Sequence, residues 1–399
     1  MNPEISVIIP CYNRAEILKK TLSGYDRQIP IDGGFEIIAI DGGSTDNTYE
    51  TLKEWRPKGY SLKILRMENK GQGMARNEAI PLASGKYILF SGDDIIPITN
   101  FISAHINAHK KMDNSRIAIL GKIIWDEDIS ISSTMRHVTG KGAQQFSYYY
   151  LTPNTFVDFR HFYTSNISIN SEFLCSLDLL FDPDFRKYGF EDVEMGYRLK
   201  KKGMKIYYTD SAVAMHSHFY SVQAFCTRQY NAGLMSSVLI RKHPELRNLI
   251  SGDFFLTSRL SLLPSISKNC ALFFSKEQTL ERFEDAIINL ATHYEFCDIP
   301  TLDDLYIALF NYFFRKGQIE SQLDHAEAHR LCESLAVYSL FPAVLNFTIS
   351  APIDQIRLQL SEKYFLKENL KKITPLKLRE RFLIFGFKII EKLRIRILQ

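Results

Sequence analysis

ISVIIPCYNRAEILKKTL, residues 5–22, is the stretch that decides the fold class. Ile5 to Pro10 is a β-branched apolar run without polar alternation, which is how a strand buried on both faces reads. Ile17, Leu18 and Leu22 then recur at helical spacing. The unit repeats. FEIIAI (35–40) precedes STDNTYETLKEW (44–55), whose Ser44 and Asp46 are good helix caps. LKILRM (62–67) precedes the helical GMARNEAIPLA (73–83), and KYILF (86–90) follows. This order predicts an α/β fold: a Rossmann-like, mostly parallel sheet flanked by helices, plus a C-terminal helical region. Ligands of such sheets sit beyond the carboxyl ends of the strands. PCYNR, DGGSTD and SGDD all fall there, so three polar loops should converge on one crevice.

With 399 residues, 45% hydrophobic and 24% charged, the chain has the composition of an ordinary globular protein with room for two domains. No run approaches the ~20 apolar residues of a membrane-spanning helix. MNPEISVIIPCYNR lacks a basic leader segment, and the six cysteines form no CxxC pair. Both features point to a cytoplasmic protein with reduced thiols. The net charge is +4, yet residues 371–399 carry nine Lys/Arg against two Glu. The remainder is therefore acidic on balance, and nucleic acid is not an expected partner. The expected layout is an α/β domain over 1–240, a helical accessory region over 241–370 and a basic amphipathic helix over 371–399. Within 241–370, Phe283, Ala286, Ile287, Leu290, Ala291 and Tyr294 share one helical stripe, and a second helix is expected to start on a capping Thr301 and stop at Gly317. In the tail, Leu378, Phe382, Phe385, Ile389 and Leu393 oppose Lys377, Arg381, Lys388 and Lys392. Such a helix (374–399) either lies on the inner face of an anionic membrane as a peripheral contact or docks on the protein itself.

Four stretches carry chemistry. In DGGSTDNT, Asp41 follows a buried strand; it either caps a βα turn or accepts hydrogen bonds from a nucleoside. In SGDDIIP, Asp93 and Asp94 crowd two like charges behind an apolar strand, which a solvated turn tolerates and a divalent cation relieves. Mn²⁺ or Mg²⁺ held by one or two carboxylates plus substrate phosphates suits that position, and the apolar strand before it favours the metal. In YGFEDVEMGYRLKKKG, Glu191 and Asp192 favour a helix N-terminus and are also placed where a general base would serve. In AVAMHSHFY, His216 and His218 are two apart after a strand-like run, so both imidazoles can approach one ion.

Read together, these motifs resemble family 2 glycosyltransferases of the A-type glycosyltransferase fold, in order and spacing across about a hundred residues. SNISINSEFL and FDPDFRKYGFEDVEMGYRLKKKG look like the second half of galactosyltransferase-like members, carrying the resemblance to about residue 235. The resemblance implies that 1–240 is the catalytic domain. It implies that Pro10, Tyr12 and Arg14 line a nucleoside pocket, that Asp41 binds the base, and that Arg76 lies near the phosphates. Asp93 would face the ribose or donor sugar. Asp94 would bind Mn²⁺ or Mg²⁺, completed by His216, with His218 as second choice. Asp192 would be the base and Glu191 would orient the acceptor hydroxyl. Three positions depart from the pattern: Cys11 replaces a usual Thr, Gly42 a second acid that reads uracil, and Gly92 the first acid of the metal motif.

The function this implies is inverting transfer of a sugar from a nucleotide-sugar donor, with a UDP-sugar expected, onto a glycan or lipid-linked acceptor in cell-surface polysaccharide synthesis. The rivals are a metal-dependent sugar nucleotidyltransferase, which releases pyrophosphate, and an inactive member that only binds nucleotide or glycan.

Overall fold

The computed structural model describes residues 2–251 and 279–350. The chain divides into two compact units, Met1–Tyr220 with Leu234–Ile250, and Ser221–Gly233 with Ser251–Gln399.

The first unit is built on a nine-stranded sheet in the order β3-β2-β1-β4-β8-β6-β9-β5, with β7 pairing β9. Its strands are β1 (Ile5–Cys11), β2 (Phe35–Asp41), β3 (Ser61–Arg66), β4 (Tyr87–Phe90), β5 (Ile95–Pro97), β6 (Ile117–Trp125), β7 (Thr155–Val157), β8 (Ile167–Asn170) and β9 (Lys205–His216). Every residue of β1, β2 and β4 is buried, as their uninterrupted apolar pattern requires. The alternating helices are α1 (Ala15–Asp26), α2 (Thr48–Glu54), α3 (Gln72–Ala79) and α4 (Phe101–Met112), followed by α5 (Ser133–Thr139), α6 (Ser171–Cys175) and α7 (Glu191–Lys201). The expected α/β sheet with flanking helices is present and is mixed. Parallel pairing joins β1 to β4 through the first four strands and β6 to β9, while β8 runs antiparallel to both β4 and β6.

One helix starts later than its sequence suggests. Residues 44–47 form a loop rather than the first turn of α2, because Asn13 Oδ1 accepts the Thr45 N–H at 2.8 Å and Ser44 Oγ accepts the Asn13 N–H at 3.0 Å. Asp46 Oδ1 then takes the Thr48 N–H and starts the helix.

α8 (Val222–Lys242) and α9 (Arg247–Ser251) follow β9. In the second unit, α10 (Leu280–His293), α11 (Pro300–Glu320), α12 (His325–Leu335) and α13 (Phe341–Ser350) are described. α10 buries Phe283, Ile287, Leu290 and Ala291 of the stripe read from sequence. α11 begins at Pro300, capped by Ile299 rather than Thr301, and runs past Gly317 to Glu320. Proline at the first helical position has no N–H to leave unsatisfied, and packing on α10 outweighs one glycine. Glu284 is buried there with Lys316 Nζ 2.8 Å from both its oxygens. The expected tail helix, 374–399, lies outside the described residues.

Candidate active site

The acid pair that the sequence singles out is held by three elements. After β4, Ser91 N–H donates to the Ile8 carbonyl and Tyr25 Oη donates to Ser91 Oγ. Thr21 Oγ1 donates to the Asp93 carbonyl at 2.9 Å, and the Tyr12 N–H donates to Asp93 Oδ2 at 3.1 Å. The turn then enters β5, whose antiparallel register sets Ile95 opposite His216. That register delivers Asp94 to the end of β9. His216 Nε2 lies 3.5 Å and His218 Nδ1 3.4 Å from Asp94 Oδ2. His218 falls beyond the last strand residue, so the chain turn after β9, not strand alternation, brings the two imidazoles together. Their rings stack at 5.6 Å, and Trp125 and Phe146 brace His216 from two sides, at 5.4 and 5.1 Å.

Asp94, His216 and His218 offer one ligand atom each, all within 4.8 Å of one another. One carboxylate and two imidazoles fit a divalent transition ion such as Mn²⁺ better than Mg²⁺, which prefers oxygen throughout. The arrangement also answers why two acids can be adjacent. Burial and the neighbouring Asp94 charge push the Asp93 carboxyl well above the ordinary range. Burial pushes Asp94 the same way, but His216 and His218 outweigh it and hold Asp94 well below that range. One acid is charged and the other neutral, so the repulsion is removed.

Arg14 Nη2 sits 2.8 Å from His218 Nδ1, joining PCYNR to this cluster. Arg76 lies on the other side. α3 is pinned by Asn77, which donates to the Phe181 carbonyl and accepts its N–H, and the Arg76 guanidinium stands 5.6 Å over the Phe181 ring. Arg76 is only 3% exposed, and its Nε and Nη1 have no hydrogen-bond partner. Burial lowers its pKa, opposed by the charges of Glu191, Asp192 and Asp93. A buried guanidinium with free donors facing three acids is costly unless a ligand completes it.

Glu191 and Asp192 open α7 after Gly189 and Phe190, both at positive φ (112° and 69°). Glu191 Oε2 accepts the Gly189 N–H and Asp192 Oδ1 the Val193 N–H. Burial, then the Glu191 charge, raises the Asp192 carboxyl to about 7, where a carboxylate can serve as a base near neutral pH. Glu194, a half-turn on, is buried and accepts from Arg198 Nε and Nη2, with His243 Nε2 3.0 Å away, which fixes the helix.

Two candidates sit deeper. Pro10 is a buried residue of β1 in register with Ile40. Asp41 is fully buried, with Oδ1 accepting the Ser44 N–H and Oδ2 3.2 Å from Arg66 Nε. The structure thus brings Tyr12, Arg14, Asp93, Asp94, His216 and His218 together, and places Arg76 among Asp93, Glu191 and Asp192. Asp41 keeps the Ser44 N–H on Oδ1, while its buried Oδ2 faces Arg66 as an ion pair without a hydrogen bond. At Gly42 an added Cβ would meet nothing closer than 3.5 Å, so the position has room for a side chain. Sequence reasoning missed Thr21, Asn13, Trp125, Phe146 and Phe181. Only Asn13 left a signal, as an Asn two residues past the end of β1, where its φ of 52° is tolerated.

Residues 6–166 match glycosyl transferase family 2. A dolichyl N-acetyl-alpha-D-glucosaminyl phosphate 3-beta-D-2,3-diacetamido-2,3-dideoxy-beta-D-glucuronosyltransferase of Methanococcus voltae is 28% identical over 250 residues, 60% of this chain and 74% of that one. Validoxylamine A glucosyltransferase of Streptomyces hygroscopicus subsp. jinggangensis is 28% identical over 272 residues, 61% of this chain and 62% of its own length. The mannosyltransferase PcManGT of Pyrobaculum calidifontis, solved with GDP-Man and Mn²⁺, superposes with a TM-score of 0.52 at 16% identity, covering 82% of this chain and 88% of that one. That likeness concerns the fold.

Proposed function

From a chain whose residues 6–166 form a family 2 glycosyltransferase domain, we propose inverting transfer of a sugar from a nucleoside-diphosphate sugar to a hydroxyl of a glycan or lipid-linked acceptor. The observation that carries this reading is Arg76, buried with two free donors between the Asp93–Asp94 turn and the Glu191–Asp192 turn. An anionic diphosphate on one side of it and an acceptor hydroxyl on the other would use every charged group of the crevice.

Asp94, His216 and His218 would hold the divalent ion, which when bound supplies charge neutralisation for the departing diphosphate. Arg14 and Arg76 add positive charge on the donor side. Tyr12, 46% exposed above the crevice, offers its ring face to the base. Asp93, neutral when Asp94 is charged, can donate to a ribose or donor-sugar hydroxyl. On the acceptor side Glu191 orients the hydroxyl and Asp192 takes its proton as the oxygen bonds the anomeric carbon and the carbon–phosphate-oxygen bond breaks. The transition state is oxocarbenium-like. A diphosphate leaves without a protonating acid, so a single base suffices. A UDP-sugar is the donor we favour, with surface polysaccharide or glycan assembly as the setting; the dolichyl N-acetylglucosaminyl phosphate in the Methanococcus voltae relative's name supports a glycan acceptor. Among the described residues no helix is long and apolar enough to cross a membrane.

The test is a screen of common nucleotide sugars for nucleoside-diphosphate release, with and without Mn²⁺. Release of UDP or another nucleoside diphosphate that needs Mn²⁺ supports the reading. Pyrophosphate release from a nucleoside triphosphate and a sugar phosphate would replace it with nucleotidyl transfer.

A further inference from the structure

α8 and the residues after it bear on the turn that carries Glu191 and Asp192. The expected α/β domain ends at 240, yet Leu234–Ile250 belong to the first unit. Met235, Leu239 and Leu246 share a buried cluster with Phe185, and Phe190 and Val193 pack on it. Those last two residues flank Glu191 and Asp192. Phe190 has left-handed backbone, φ 69°, which costs energy and persists only where the surroundings fix it. Apolar packing has no direction of its own. The directional contacts come from Lys242, the last residue of α8, and His243, the next.

Lys242 Nζ lies 2.8 Å from Asp182 Oδ2 and 2.6 Å from Asp184 Oδ2. His243 packs edge-on against the Tyr197 ring at 5.0 Å, and its Nε2 lies 3.0 Å from Glu194 Oε1. A carboxylate only accepts, so that imidazole nitrogen carries the hydrogen. Glu194 Oε1 also accepts from Arg198 Nε, and Arg198 Nη1 and Nη2 donate to the Leu179 and Leu180 carbonyls. The 179–184 loop is therefore tied to α7 at one end and to Lys242 at the other. Between those ties lies Phe181, which pins Asn77 and underlies Arg76. The acids of both pairs are sheltered, Glu194 at 2% and Asp182 at 8% side-chain exposure. A sheltered ion pair gives up in desolvation much of what it gains in attraction, so its main effect is on geometry. Lys201 and Glu245, 2.9 Å apart and half-exposed, make the contrasting pair, which holds little.

We propose that Lys242 and His243 are positioning residues for the transfer. His243 holds α7 in the register that presents Asp192 to the acceptor hydroxyl, and Lys242 holds the 179–184 loop that sets Phe181 beneath Arg76. This rests on the glycosyl-transfer reading above. It places two residues needed for turnover beyond the boundary expected for the catalytic domain.

The experiment uses the full chain and the donor identified by nucleoside-diphosphate release. A nitrophenyl glycoside, or water where no glycoside is used, serves as acceptor. Calorimetric titration with Mn²⁺ and the released nucleoside diphosphate gives affinity and the number of intact sites per chain. Both alanine variants should fold, because Glu194 keeps Arg198 and Asp182 Oδ1 keeps the Asp184 N–H. His243→Ala is expected to lower kcat about ten-fold with nucleotide affinity within about two-fold of the parent. Lys242→Ala should lower kcat similarly and weaken nucleotide binding about five-fold, through Phe181 and Arg76. His243→Gln and Lys242→Arg keep a donor at the same place and should restore most of the loss, while Lys201→Ala should leave kcat near the parent's. Either alanine variant with parental kcat overturns the proposal, as does a loss that the conservative variants do not restore. So does Lys242→Ala with full nucleotide affinity, His243→Ala with nucleotide affinity lost, or Lys201→Ala losing as much kcat as the pair. A kcat loss matched by fewer intact sites per chain would mean that the pair only keeps the chain folded, and also overturns it. If the unaltered chain releases no nucleoside diphosphate from any donor, the glycosyl-transfer reading has failed and the proposal falls with it; release by the parent with unaffected variants sinks the positioning role alone.

Discussion

Replacing Asp192 by Asn removes one proton-accepting oxygen from α7 and keeps the shape of the turn. Asp192 Oδ1 accepts only the Val193 N–H within its own helix, and the asparagine carbonyl oxygen can accept the same bond. Donor affinity should therefore stay within about two-fold. The chemical step loses its base, which is worth ~10²–10⁴-fold in kcat, or about 3–5 kcal/mol of barrier. The pH profile makes the assignment specific. Burial and Glu191 raise the Asp192 carboxyl to about 7. The active form is the carboxylate, so kcat/KM should fall about ten-fold per pH unit below that value. In Asp192→Asn the residual activity should lose this acid limb. Stability should move the other way. A carboxyl whose folded pKa is raised favours the folded state only while protonated, and that contribution fades as pH rises from about 4 through about 7. Above pH 7 the asparagine variant should be more stable, by on the order of 1 kcal/mol, because Glu191 and the partial exposure of the site share the cost. Steady-state rates from pH 5.5 to 9 with urea melts at pH 8 measure both effects. A variant that keeps near-normal turnover, or that keeps the acid limb, refutes Asp192 as the base.

Asp94→Ala and His216→Ala should each weaken Mn²⁺ binding by at least about 100-fold, read by titration calorimetry, with Mn²⁺-dependent donor binding lost in parallel; unchanged Mn²⁺ affinity in both would move the ion elsewhere. Gly121→Ala should destabilise the first unit by about 1–3 kcal/mol, since a Cβ there would lie 2.5 Å from Asn166 Nδ2 and closer still to the Ala212 carbonyl; a midpoint within error of the parent in chemical denaturation would show that the bulge between Leu120 and Lys122 adjusts. His105 and His109 share Ser168 Oγ at 2.9 and 2.8 Å, and burial lowers them to about 4 and about 3. Their lowered folded pKa means that the stability they contribute is complete above about 6.5 and is lost as pH falls toward those values. His105→Asn with His109→Gln should flatten the dependence of stability on pH between 6.5 and 4, and an unchanged slope would show that other groups set it.

The first hundred residues were legible because each strand is buried on both faces and so reads as an unbroken apolar run, and each crossover carries its own helical stripe. The acids at the strand ends were legible for the same reason, since a strand buried on both faces that runs straight into Asp93 and Asp94 marks the polar edge of the sheet. What the sequence could not carry was pairing across long separations. The antiparallel entry of β8 between β4 and β6 depends on which edge remains open once the parallel strands have formed, and a four-residue strand has no period that encodes direction. The loop at 44–47 looked like the first turn of α2 because Ser and Asp favour caps, but both side chains were committed to the backbone of residues 13–15. Phe146 and Phe181 were invisible as site residues, because an aromatic side chain in a loop reads as core until a ligand or a charged partner is seen beside it.

The crevice is best understood through its charges taken together. Burial and then the Asp94 charge hold the Asp93 carboxyl up, while His216 and His218 together outweigh burial and hold Asp94 down. Arg76 feels Asp93 as well as Glu191 and Asp192, so it is a group common to both turns. Adding a diphosphate beside Arg76 would draw its charge away from Asp192, and the carboxyl would then find protonation easier still. That shift suits a base whose task is to accept a proton. It implies that occupation of the donor side raises the basicity of the acceptor side with no movement of the backbone, a coupling that follows from the burial of one guanidinium. The pH limb of kcat, which reports the loaded enzyme, should accordingly lie above that of kcat/KM, which reports the free one; coincident limbs would show that Arg76 does not link the two sides.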